Sequence, residues 1–91
     1  MKDCMDSAGI VRRLRRIEGQ VRGIIRMVEE EQPCEDVLIQ IGSVKAALHK
    51  AGQRILEGHL HHCVLEGIKA GNGDEVLDDL SRALEQFSRI I

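Results

Sequence analysis

Apolar residues recur along this chain at intervals of three and four, the spacing that places side chains on one side of an α-helix. The pattern covers three stretches, at about residues 7–31, 33–70 and 74–91. No stretch alternates apolar and polar residues over several positions, as a half-buried strand would. The pattern therefore predicts an all-α protein of three helices in a single domain, 1–91, with residues 1–6 disordered.

Proline and glycine mark the two predicted connections between the helices. Pro33 suits the first turn of a helix, where its missing N–H costs nothing. The sequence GNG at 71–73 is typical of a helix C-terminus followed by a turn. Asp74 and Glu75 come directly after it, and acidic residues in a first turn complement the helix dipole.

The second helix is too long for so short a chain to bury. About 36 residues at ~1.5 Å each give a helix of ~54 Å, longer than a compact chain of this size is wide. The two flanking helices cannot cover all of its apolar side. The sequence therefore predicts that this helix packs against a second copy in a homo-oligomer.

Composition narrows the possible functions. The chain has one Phe, no Trp and no Tyr, so it lacks the aromatic residues on which single-stranded nucleic acid stacks. We find no apolar run long enough to span a bilayer and no signal-peptide segment, so we expect a cytoplasmic protein without membrane contact. An enzyme is not expected, because no phosphate loop and no group that would orient a Cys–His pair is visible.

Three cysteines, Cys4, Cys34 and Cys63, are an odd number for a disulfide framework. In a reducing compartment such residues serve as ligands or redox groups, or they simply pack in a core. Cys34 lies 25 residues before His59 and 29 before Cys63. At about 100° per residue these separations come to about −20° and +20°, so the three side chains share one side of the second helix.

The side of the second helix that carries these three residues also holds an apolar seam at seven-residue steps, Ile41, Leu48 and Ile55. One straight helix cannot bring the three together, because ~38 Å separate the first cysteine from the histidine. An antiparallel copy across the seam would join the first cysteine of one protomer to the histidine and second cysteine of the other. Two thiolates and an imidazole favour Cu(I), which accepts three ligands, over Zn(II), which prefers four. His62 lies near the seam, in a supporting position.

The first helix carries a positive surface. Residues 11–26 hold six arginines and one glutamate in a chain of net charge −2. Five of the arginines project onto about 120° of the helix, opposite the apolar stripe, and form what we call the arginine face: Arg12, Arg15, Arg16, Arg22 and Arg26. We expect them to be unpaired and to bind the phosphates of double-stranded DNA. The second helix extends this surface with Lys45, Lys50 and Arg54.

Three motifs together resemble the CsoR/RcnR family of bacterial metal-responsive repressors. They are RLRRIEGQVRGI at 13–24, DVLIQI at 36–41 and HLHHCV at 59–64. The resemblance covers nearly the whole chain. It implies a three-helix protomer, antiparallel dimers that form a dimer-of-dimers tetramer, and operator DNA that is bound without effector and released on effector binding. It also implies that Arg13 and Lys50 belong to the DNA-binding patch.

The resemblance places Cys34, His59 and Cys63 on the ligand positions of the copper(I) sensors. Nickel and cobalt members carry a histidine in place of the second cysteine and a further N-terminal ligand. The matching N-terminal position here is Lys2, and Cys4 close by is a possible substitute. Persulfide-sensing members lack the histidine, and formaldehyde-sensing members generally lack the second cysteine.

Two positions depart from the copper sensors. A tyrosine that precedes their first cysteine is replaced by Pro33. The copper sensors also have a glutamate in the third helix, which lies beside the ligands without binding the metal. The matching residue here is Asp79, whose side chain is one methylene shorter. These departures affect how tightly the metal binds and how strongly metal binding is coupled to DNA release, more than which metal binds.

The sequence thus predicts a Cu(I)-responsive, non-enzymatic repressor. A repressor of the same fold that responds to nickel, cobalt, zinc, persulfide or electrophiles remains an alternative. A cytosolic copper carrier without a DNA role is another, against which the arginine face argues.

Overall fold

The computed structural model describes residues 6–89, apart from the side chain of His61, and every element in this part is helical. The elements are α1 (Ser7–Glu29), α2 (Cys34–Gly58), a π-helical segment (His59–Val64), α3 (Leu65–Lys69) and α4 (Gly73–Phe87). Gly58 and Leu65, on either side of the π-helical segment, have α-helical dihedral angles. The chain therefore stays helical from 34 to 69, and the predicted all-α fold of three helices is confirmed.

Some of the sequence-based expectations concern residues outside the described part. Lys2 and Cys4, the candidates for an N-terminal ligand, are among them. Of residues 1–6, for which we expected disorder, only Asp6 is described.

Residue contacts divide the chain into two compact units, one of which comprises Ser7–Gln53. Its buried apolar side chains are Ile10 and Ile17 of α1 and Ala51 of α2. Most of the other large apolar residues of this unit are exposed: Val11, Leu14, Val21, Ile25, Val28, Leu38, Ile39, Ile41 and Leu48. A single chain thus leaves much of the predicted apolar stripe of these helices uncovered.

The end of α1 is closed by two backbone hydrogen bonds. The N–H of Gln32 donates to Met27 O at 3.0 Å, and the N–H of Glu31 donates to Val28 O at 3.0 Å. This is the Schellman arrangement, in which the residue after the helix adopts a left-handed conformation. Here that residue is Glu31, with φ of 55°.

The second unit comprises, among the described residues, Asp6 and 54–89, and so contains the π-helical segment, α3 and α4. Its buried apolar side chains are Val64 and Leu80. Helix α4 contacts both α3 and the π-helical segment. The GNG turn predicted from the sequence is confirmed, since Gly71 has φ of 87° and α4 begins two residues later.

Within residues 6–89, every helix is too short or too polar to cross a bilayer.

Candidate metal centre and nucleic-acid interface

Cys34 is the first residue of α2 and carries an exposed, free thiol. Its position follows from the start of the helix, where the carbonyl of Pro33 accepts the N–H groups of Asp36 at 3.0 Å and Val37 at 3.2 Å. Pro33 therefore stands immediately before the helix, and the thiol projects from the first helical residue.

His59 and Cys63 both lie in the π-helical segment, and both are half-buried. A π-helical turn closes hydrogen bonds from i to i+5 instead of i+4, so each residue turns less about the axis than in an α-helix. The projection at 100° per residue does not hold from His59 onward. The structure thus changes the angular position of Cys63 and of all of α3 relative to the end of α2.

Cys63 is disulfide-bonded in this structure. The odd number of cysteines argued against a disulfide framework, and in the structure Cys34 is free whereas Cys63 is paired. An odd number of cysteines excludes complete pairing but does not exclude one disulfide. Because the thiolate is the form that binds metal, Cys63 must be reduced before its sulfur can act as a ligand.

The three predicted ligands fall into different units. His59 and Cys63 belong to the unit that contains α4, whereas Cys34 belongs to the unit that contains α1. Among the described residues, no group of three or more His, Cys, Asp or Glu side chains is arranged to hold a metal ion. In one chain, His59 and Cys63 therefore come from the π-helical segment, and Cys34 comes from the other unit.

Asp79 and His62, the predicted neighbours of the ligands, are both exposed. The carboxylate of Asp79 accepts a hydrogen bond from Arg82, one turn further along α4. Sequence reasoning missed Arg82, although its i, i+3 spacing from an acidic residue is a known helix pairing. Asp79 therefore has a local partner that any interaction with His59 would replace or share.

The arginine face lies on α1, and all five of its members are exposed: Arg12, Arg15, Arg16, Arg22 and Arg26. Arg13 beside it is half-buried. On α2, Lys50 and Arg54 are exposed too.

The expectation that this face is unpaired is wrong at one position. Arg22 forms an ion pair with Glu18 at 3.8 Å, with both side chains more than half exposed. The pair forms because the two residues are four apart on a helix, and at this exposure it is worth at most about 1 kcal/mol. This pair is therefore weak enough that a phosphate group would displace Glu18 from Arg22 at little cost.

The chain is similar to known proteins along nearly its whole length. The sequence model of a family described as metal-sensitive transcriptional repressors matches residues 6–86. The copper-sensing transcriptional repressor CsoR of Bacillus subtilis is 42% identical over 88 residues, which cover 97% of this chain and 87% of that protein. The copper-sensing transcriptional repressor RicR of Mycobacterium tuberculosis is 45% identical over 80 residues, covering 86% and 83%.

Two solved structures are also similar. The copper-sensing repressor CsoR with Cu(I) from Geobacillus thermodenitrificans superposes with a TM-score of 0.87 at 44% identity, over 90% of this chain and 85% of that one. The nickel-responsive transcriptional regulator InrS superposes with a TM-score of 0.78 at 40% identity, over 88% and 90%.

Proposed function

Because the chain belongs to the family of metal-sensitive transcriptional repressors, we propose that it is a Cu(I)-responsive member, which binds operator DNA without metal and releases it when Cu(I) binds. The prediction of a repressor in place of an enzyme is confirmed by this family membership. The proposed repressor acts in the cytoplasm, where its operator lies.

The observation that carries the copper assignment is the donor set Cys34, His59 and Cys63. Two thiolates and one imidazole are soft ligands, and they suit Cu(I) better than the harder divalent ions. The similarity to two copper-sensing repressors and to a structure with Cu(I) supports the same choice. The site requires both cysteines to be reduced, which fits a reducing cytoplasm.

Nickel is the second candidate effector, because the nickel-responsive InrS has 40% sequence identity to this chain. Nickel binding in place of copper would require a ligand beyond Cys34, His59 and Cys63. Cys4 is the residue that the sequence offers for that role.

We propose that the ligands come together in an antiparallel dimer, with Cys34 of one protomer beside His59 and Cys63 of the other. Ile41 and Leu48, on the seam of α2, are each 47% exposed in the single chain, and this uncovered apolar surface, which a second copy would bury, supports the pairing. Two such dimers form the tetramer that the resemblance to the CsoR/RcnR family implies.

We propose that duplex DNA binds the arginine face, together with Arg13, Lys50 and Arg54. These exposed cations have the chemistry that phosphate contacts need, and a repressor requires an operator. One Cu(I) per protomer adds little charge, so release cannot result from repulsion alone. A bound effector must instead favour a conformation whose arginine faces no longer match the duplex.

The test is an anaerobic Cu(I) titration of reduced protein bound to a fluorescent duplex of its own promoter, followed by anisotropy. Wild type should release the duplex at one Cu(I) per protomer. Cys34→Ser and Cys63→Ser should each bind the duplex normally and fail to release it. His59→Ala should bind the duplex and fail to release it. His49→Ala, which removes an exposed histidine of α2 outside the proposed ligand set, is the matched control and should still respond.

Parallel titrations with Ni(II) and Zn(II) distinguish the alternatives. Release by Ni(II) at concentrations where Cu(I) is without effect would overturn the copper assignment and favour the nickel alternative. A protein that binds Cu(I) tightly but never binds the duplex would be a carrier, and the repressor proposal would fail.

A further inference from the structure

Helices α3 and α4 approach each other closely at Gly67, four residues after Cys63. A methyl group placed on Gly67 would overlap Cγ2 of Val76, and it would lie 3.2 Å from Cβ of the same residue. Carbon atoms pack best at about 3.5–4.0 Å. The side chain of Val76 therefore occupies the space that any residue other than glycine would need.

Backbone hydrogen bonds hold Val76 in this position. The carbonyl of Gly67 accepts the N–H of Asn72 at 2.8 Å, and the carbonyl of Asn72 accepts the N–H of Val76 at 3.0 Å. The contact between Val76 and Gly67 joins the two ends of this series, so that Gly67, Asn72 and Val76 form a closed loop of interactions, which we call the ring. The ring ties the first turn of α4 directly to α3.

This contact explains why residue 67 is a glycine, because the backbone conformation there does not require one. Glycine disfavours a helix relative to alanine. Gly67 does not have the left-handed conformation that requires glycine, which at this helix end is adopted by Gly71 with φ of 87°.

The ring lies next to the segment that carries two of the proposed ligands. Helix α3 follows the π-helical segment directly, and α4 contacts both of them. A shift of His59 or Cys63 would therefore act on α3, and the Gly67–Val76 contact would pass that shift to α4.

From this geometry, and resting on the proposed metal-responsive function, we infer that Gly67 and Val76 are positioning residues that couple metal binding to operator release. Neither binds the metal or the DNA. Their contact makes α4 move with the π-helical segment, so that the metal-bound and metal-free states differ throughout this unit. An α3–α4 pair that is held apart at residue 67 would bind the effector without passing on the change.

The test compares operator affinity with and without Cu(I) for full-length, reduced variants, using the promoter duplex described above. Coupling in such systems changes affinity by about 5–150-fold. Gly67→Ala should bring the ratio of operator affinities without and with Cu(I) to within about twofold of one. Its Cu(I) affinity, measured by competition with a chromophoric chelator, should stay unchanged. Val76→Ala removes the methyl groups that would clash, so Gly67→Ala combined with Val76→Ala should restore most of the ratio.

Gly73→Ala is the matched control at the same helix junction. Its new methyl group would lie 3.5 Å from Cγ1 of Ile68, an ordinary contact, so the ratio should remain that of wild type. Val76→Ala alone, which keeps the helix but removes the methyl groups that touch Gly67, should lower the ratio several-fold. If Gly67→Ala does not fold, Val76→Ala alone tests the coupling role.

Three outcomes would overturn the coupling role. Ratios like that of wild type in both Gly67→Ala and Val76→Ala would show that the contact carries no coupling. A drop in Cu(I) affinity in Gly67→Ala would show that residue 67 shapes the metal site itself. A ratio of one in wild type would overturn the proposed copper response and the coupling role together, and is thereby distinguished from the first two outcomes.

Discussion

Glu31 ends α1 in a backbone conformation that glycine adopts more easily. Its φ is 55°, and its N–H donates to Val28 O at 3.0 Å. For a residue with a Cβ, the left-handed conformation costs roughly 1–2 kcal/mol. The hydrogen bonds that close the helix hold Glu31 there in spite of this cost.

Replacing Glu31 with glycine should therefore stabilise the protein. The relief of strain exceeds the added flexibility of the unfolded chain, and we expect the free energy of unfolding to rise by about 0.5–1 kcal/mol. Urea unfolding at a fixed protein concentration measures it. Glu29→Gly, which removes the same charge at the last residue of α1, where φ is not positive, should lower that free energy. Equal destabilisation by both variants would contradict the argument.

Asp79 is the residue through which we expect His59 to sense the bound effector. A ligand histidine usually donates its second ring N–H to a carboxylate or carbonyl. In the structure the carboxylate of Asp79 is bound by Arg82 instead. Through this contact, His59 would either displace Arg82 from Asp79 or share the carboxylate with it.

Asp79→Ala should leave Cu(I) affinity largely intact and shrink the coupling free energy, which is typically about 1–3 kcal/mol. Operator affinity measured with and without Cu(I) gives this quantity. Arg82→Ala is the control, because it frees the carboxylate and should not weaken coupling. An unchanged ratio in Asp79→Ala would remove this residue from the mechanism.

At the scale of the elements, the spacing of apolar residues predicts where helices lie but not how each one is hydrogen-bonded. A glycine directly after an apolar helical pattern is a recognised signal of a helix end, and so the turn at Gly71 was predictable. Six π-helical residues carry no comparable signal, because His59–Val64 fits an α-helical spacing equally well over so short a range. The left-handed Glu31 gave no signal either, since glutamate is not the residue type that such positions favour.

The turn between α3 and α4 depends on Gly71. With φ of 87° it donates its N–H to Ile68 O at 3.1 Å. Gly71→Ala should lower the free energy of unfolding by about 1 kcal/mol or more, because a Cβ disfavours this conformation. Gly73→Ala, two residues later, lacks the positive φ and should have little effect. Thermal unfolding of both variants at matched concentration checks the difference, and equal melting temperatures would contradict it.

At the scale of the whole molecule, the described chain buries few apolar side chains and exposes many. The exposed set includes Ile41 and Leu48 of the predicted seam. The candidate ligands were predictable, because their residue types and spacing are visible in the sequence. Their proposed convergence depends on a second copy, which the length of the second helix predicts, and on the rotation introduced by the π-helical segment, for which the sequence carries no signal.

Residue 48 lies about midway between Cys34 and Cys63, and so close to the twofold axis of the proposed antiparallel dimer. Leu48→Asp should disrupt this dimer, because the two aspartates would be buried facing each other. Sedimentation velocity should show a shift from oligomer to monomer at micromolar concentration. Ile39 is the matched control: it is 64% exposed and lies about 140° from Cys34 around the helix, away from the seam. Ile39→Asp should therefore leave the dimer intact. Dissociation by both variants, or by neither, would argue against the seam.

Operator binding should depend on salt through the arginine face, since each phosphate that the protein neutralises releases a condensed counterion. Arg15→Ala should weaken binding and reduce the steepness of log K against log salt by about 1, because one phosphate is no longer neutralised. Glu18→Gln should strengthen binding, because it frees Arg22 from its ion pair and removes a negative charge beside the phosphates. Arg82→Ala changes an equally exposed arginine on α4 and should not alter the slope. Equal slopes for Arg15→Ala and wild type would place the DNA on another surface.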